Sequence, residues 1–124
     1  MGVRSTDISA ILNAIDNKTM LFDDVINYID DYYRYVPVTF VNGEQHNAIG
    51  ENEKSAKIFA LAKLHGLSQL DTLKLFAEHY DAVKSTPNGT DHPNIRNFLH
   101  WGWQGFLMQD NPLSPRPDVN VNNI

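Results

Sequence analysis

The chain has 124 residues, a net charge of −5 and a sequence pI near 5.4, with 42% hydrophobic and 20% charged residues. That length predicts a single domain over residues 1–124 with enough surface to bury for one core, and no apolar run is long enough to insert in a membrane. The ten Lys and Arg residues are scattered, which excludes the basic footprint of a nucleic-acid binder, and the absence of cysteine removes disulfides, thiolate metal sites and cysteine nucleophiles.

The opening residues lack the apolar core of a secretory signal peptide, so the expected compartment is the cytoplasm. Ser5 or Thr6 is placed to cap a first helix, on which Ile8, Ile11, Leu12 and Ile15 share a face. Thr19 is expected to cap a second helix reaching about Tyr35. Leu21, Val25, Tyr28, Ile29, Tyr32 and Val36 lie on one arc of it, and Asp23, Asp24, Asn27, Asp30, Asp31 and Arg34 on the other. The tyrosines of that helix read mostly as core, with an exposed remainder suited to a partner surface.

Pro37 ends the second helix, and Val38-Thr39-Phe40-Val41 followed by Asn42-Gly43 predicts a short strand or hairpin near residues 36–47. The return segment Glu44-Gln45-His46-Asn47 has poor strand propensity. Asn52 then caps a third helix from Glu53 to about His65. Its apolar residues occupy nearly every angle, which predicts a central, buried position. Gly66 suits a left-handed cap with Leu67 as its hydrophobic contact, and Ser68 caps a fourth helix whose inner face is Leu70, Leu73, Phe76, Ala77 and Tyr80. Pro93 opens a fifth helix ending near Gly102, and the tail from about 110 to 124 reads as irregular. The expected fold class is mainly α, about five helices with one short strand or hairpin; the alternative is α+β.

Chemistry-bearing side chains concentrate between Gly89 and Trp103. Ile95, Phe98, Leu99 and Gly102 form the apolar face of the fifth helix; His92, Arg96 and His100 follow one edge, and Asn94, Asn97 and Trp101 the other. One reading is a polar pocket in which Arg96 and the helix start favour an anion while Asp91 and His92 supply proton transfer or metal ligation. The other has Asp91 as a cap, Arg96 paired with a carboxylate of the acidic second helix, and the tryptophans in the core. The candidate ligand-binding residues are Asn42, Glu53, His79, Asp91, His92, Asn94, Arg96 and Asn97. The five histidines form no metal-binding motif, so no metal site and no cofactor is assigned. Gly50-Glu51-Asn52-Glu53-Lys54-Ser55 lacks the spacing and charge of a phosphate loop, and no serine sits in a nucleophile elbow.

Four blocks occur in order: Val36-Pro37-Val38-Thr39-Phe40-Val41-Asn42-Gly43, Gly50 to Ala60, Leu64-His65-Gly66-Leu67-Ser68, and Gly89-Thr90-Asp91-His92-Pro93-Asn94-Ile95-Arg96-Asn97-Phe98. Together they resemble the HopJ type III effector family of small bacterial proteins, from about Ile8 to Leu113. The resemblance implies a bacterial cytoplasmic protein delivered into a host cell by a type III secretion system, and it carries over no catalytic residue. The leading expectation is a protein that acts by binding a small ligand or a protein, in the host or in the bacterium. The alternative is a cytoplasmic enzyme or metal-dependent protein with a polar pocket around Asp91, His92 and Arg96.

Overall fold

Phe59 has five aromatic neighbours, Phe40, Phe76, Phe98, Trp103 and Phe106, with ring centroids between 4.8 and 6.5 Å away. It lies on the helix Glu53–Leu64, whose Ala56, Ile58, Phe59, Ala60, Leu61 and Ala62 are all fully buried. The all-round apolar wheel therefore does what its composition dictates: every face meets another element, and the alanines let neighbours approach.

The computed structural model describes residues 3–117, with side chains from Ile8 onward. In chain order the helices are α1 Val3–Asp16, α2 Phe22–Tyr32, α3 Glu53–Leu64, α4 Gln69–Lys74, α5 Glu78–Ser85 and α6 Pro93–Trp101, the last running into a 3-10 turn over Gly102–Gly105. The strands are β1 Tyr33–Tyr35, β2 Phe40–Asn42, β3 Gln45–Asn47, β4 Phe106–Leu107 and β5 Leu113–Pro115. The fold is mainly α with small antiparallel sheets, as the sequence pattern indicates. In one sheet β2 lies between β3 and β4; the other pairs β1 with β5.

The hairpin sits at Phe40–Asn47, one residue out of phase with the expected Asn42-Gly43 turn. Asn42 is a buried strand residue opposite Gln45, and Gly43 with φ +60° takes the first turn position. A Cβ at Gly43 would collide with the Trp101 side chain, so glycine here also permits a close approach. Gln45–Asn47 pairs despite its poor propensity because burial of Asn47, at 3% exposure, and its hydrogen bonds hold it in place.

Several boundaries move. The helix α1 runs through Ser5 and Thr6 from Val3, and the side chains proposed as its cap lie outside the described residues. The Thr19 hydroxyl donates to Ala14 O at the end of α1, while Asp24 accepts the Leu21 amide at the start of α2. The second helix stops at Tyr32 rather than Tyr35, because Tyr33–Tyr35 is drawn into antiparallel register with Leu113–Pro115. The irregular tail is thus corrected over these three residues: Tyr35 faces Leu113, which is 5% exposed in the core. Residues 118–124 lie outside the described part of the chain.

The fourth helix is two. Of its expected inner face Leu73, Phe76, Ala77 and Tyr80 are buried while Leu70 is 52% exposed, and no single straight axis runs through Ala77. The chain turns there instead, with Ala77 at φ +52°, and restarts as α5. Between α3 and α4 the local signals hold. Gly66, at φ +61°, donates to Lys63 O and Leu67 to Ala62 O, the double bond of a Schellman cap. The Ser68 hydroxyl then accepts from the Asp71 amide.

Candidate functional site

The turn at Ala77 sets His79 in the first turn of α5, with its ring edge-on to Phe22 at 4.7 Å and 4.9 Å from the ring of His92. His92 precedes α6 in the left-handed region, φ +51°, and Pro93 fixes the first helical residue after it. The two imidazoles line a cavity of about 270 Å³ with Asn52 and Ser55 of α3, Phe22, Phe76, and Pro93, Asn94 and Ile95 of α6.

Four helix starts therefore meet at this cavity: Phe22 is the first residue of α2, His79 the second of α5, and Asn52 and His92 immediately precede α3 and α6. Neither Asn52 nor His92 caps its own helix with its side chain. First-turn amides carry partial positive charge, so the cavity wall favours hydrogen-bond acceptors and negative charge. At the α2 start this demand is already met, because Glu78 Oε1 accepts the Phe22 amide at 2.7 Å.

Behind the cavity runs a chain of amides. Asn52 Nδ2 donates to Asn47 Oδ1 at 2.7 Å, and Asn94 Nδ2 donates to the same oxygen at 3.0 Å. Asn94 Oδ1 accepts from Asn42 and Asn47, and Asn42 also donates to Asn94 O at 2.7 Å. This lattice fixes the first turn of α6 to the hairpin and so sets the position of His92. Asn42 Oδ1 is buried without a protein hydrogen-bond partner.

The candidate residues fall into separate places. His79, His92 and Asn94 come together, and Asn42 supports them from behind. Asn97 faces the hairpin, accepting from the Glu44 amide and donating to Pro93 O. Glu53 acts on Tyr35, whose hydroxyl is pushed up first by burial and then by the Glu53 charge.

Arg96 and Asp91 belong to neither the cavity nor the acidic second helix. The Arg96 guanidinium bonds Asp91 Oδ1 and O, and Thr86 O and Oγ1, all within 2.9 Å. That hydrogen bond from Arg96 is the main reason the Asp91 carboxyl lies below its ordinary range. Asp91 makes no helix cap, and His92 and Arg96 line different cavities, although Asp91 lies 3.9 Å from His92 Nε2. Trp101 stays 46% exposed, against the expected core position, whereas Trp103 packs on the core and donates to Leu67 O.

No local pattern marks Asn47 or the cavity roles of Asn52 and Ser55. Asn52 was legible only as a cap, because its hydrogen-bond partner Asn47 sits on a weak strand. Among the described residues no three His, Asp or Glu side chains gather in a metal-binding group.

The HopJ type III effector protein family pattern matches residues 8–113, which contain every residue of this cavity. The chain belongs to the HopJ type III effector protein family. It is also similar to the crystal structure of VPA0580, a protein of unknown function, with 33% identity and a TM-score of 0.79 over 87% of this chain and 92% of that one. No curated protein matches. In this HopJ protein the Gly89–Phe98 block divides its work: Asp91 and Arg96 tie the loop, while His92 and Asn94 shape the cavity.

Proposed function

We propose that this HopJ protein binds a small anion or acceptor-rich ligand in the His79–His92 cavity. The observation that carries the reading is the imidazole pair, 4.9 Å apart at the rim of a 270 Å³ space. Two imidazoles this close repel once both are protonated, and an anion between them relieves that repulsion. The surrounding first-turn amides act in the same direction. The volume lies near the small end of ligand sites, which run from about 300 Å³ upward.

Histidine NMR with inorganic phosphate as the probe tests the reading. Saturable shifts are expected at His79 and His92. His92→Asn keeps a residue type that tolerates the left-handed conformation, so it removes the ring and spares the fold. That variant should weaken phosphate binding about tenfold or more, since a charged hydrogen bond contributes roughly 1.5–3 kcal/mol. Linear, unsaturable shifts, or shifts at His46 and His100 alone, would sink the proposal. The family description supports a further part of the reading, export by a type III system; a translocation assay on the full chain, in strains with and without that system, decides it.

A further inference from the structure

A second cavity, of about 580 Å³, opens between α5 and α6. Its apolar lining comes from Val83, Pro87 and Leu99, and its polar lining from Lys84, Arg96 and His100. Among the described residues no carboxylate lines it, although Arg96 and Lys84 each pair with one outside the lining, Asp91 and Asp81. Its volume falls within the usual range for small-molecule sites.

The three polar groups differ in how they are held. Arg96 is 16% exposed, and four of its N–H groups bond Thr86 and Asp91, which leaves one on Nη1. Gly89 lies so close that a Cβ there would stand 2.5 Å from Arg96 Nη2. The guanidinium is therefore positioned in advance, and a ligand meets it without the entropy cost of ordering an arginine. The Lys84 ammonium sits 4.5 Å from the Tyr80 ring centroid and 3.5 Å from Asp81, at 53% side-chain exposure. His100 stands edge-on to Trp101 at 4.6 Å, and its ring makes no hydrogen bond among the described residues. Leu99 is 43% exposed beside them.

We propose that this cavity binds an amphipathic monocarboxylate, with the apolar body against Val83, Pro87 and Leu99 and the carboxylate among Arg96, His100 and Lys84. The occupant follows from complementarity. An uncharged apolar molecule would leave three donors desolvated, and a bare anion would leave the apolar wall wet. One fixed cation with one spare N–H, flanked by two adjustable donors, suits a singly charged head group.

Octanoate is the probe, with octanamide as the same body without charge and acetate as the head without a body. Calorimetry and amide chemical-shift mapping are made on the full chain. Octanoate should bind saturably, at least about tenfold tighter than either control, with shifts centred on Lys84 and Arg96–His100. His100→Gln and Lys84→Met alter exposed side chains outside the core, and each should weaken octanoate about threefold to tenfold. His92→Asn should leave octanoate binding unchanged, which separates this site from the His79–His92 cavity. Equal affinity for octanoate and octanamide, equal affinity for octanoate and acetate, no binding of octanoate, shifts centred on His79 and His92, or full binding by both variants would each overturn the proposal.

Discussion

Asn94 is 4% exposed, and its one side chain accepts from Asn42 and Asn47 while donating to Asn47. Cutting it to alanine leaves buried amide groups of Asn42 and Asn47 short of partners, and each such loss costs about 1–3 kcal/mol. Asn94→Ala should therefore lower stability by about 2–4 kcal/mol, read as a shift of the urea midpoint at unchanged slope. A change below about 0.5 kcal/mol would mean that water replaces the lattice. Asn94 was visible in the sequence as a polar residue in a chemistry-rich segment. Its partner Asn47 was not, because the two are 47 positions apart and asparagine in a strand carries no local signature of burial.

Elements whose signals are local came through the sequence with their ends nearly intact. The helix α3 spans Glu53–Leu64 against an expected Glu53–His65, and α6 spans Pro93–Trp101 against a start at Pro93 and an end near Gly102. The Gly66 cap sets the end of α3, and Pro93 and Gly102 bound α6. The strand β5 had no such signal. It exists because Tyr33, Arg34 and Tyr35 offer an edge about eighty residues earlier, and because Leu113 reaches the core. The pairing is extended on both sides, by Val36 N to Pro112 O and by Arg116 N to Tyr32 O. Leu113→Ala should cost about 2–5 kcal/mol by equilibrium unfolding, the usual range for a buried leucine, whereas Ser114→Ala, exposed one position later, should stay within about 0.5 kcal/mol. Comparable effects for the two would show that β5 contributes little as a strand.

For the molecule as a whole, acid is the informative perturbation. Lys18 reaches from beyond α1 to Asp81 on α5 at 2.9 Å, and Arg96 holds Asp91 at 2.6 Å. Both carboxyls lie below their ordinary value of 3.8, Asp81 chiefly through the Lys18 hydrogen bond and Asp91 chiefly through Arg96. A carboxyl whose folded value is lowered contributes stability above its unfolded value and loses it as pH falls through the folded one, because the unfolded chain takes up the proton first. The melting temperature should fall between about pH 5 and pH 3, and the double variant Asp81→Asn, Asp91→Asn should show a smaller fall. An identical fall in the variant would assign the acid sensitivity to other carboxylates. By itself, the sequence determined the family, the mainly helical class and the central place of α3, since composition, periodicity and capping act over a few residues. Only the tertiary structure decided that His79 meets His92, that Arg96 turns away from both, and that the tail adds a strand to Tyr33–Tyr35. Each of those depends on where distant backbone segments cross, and no local pattern records such a crossing.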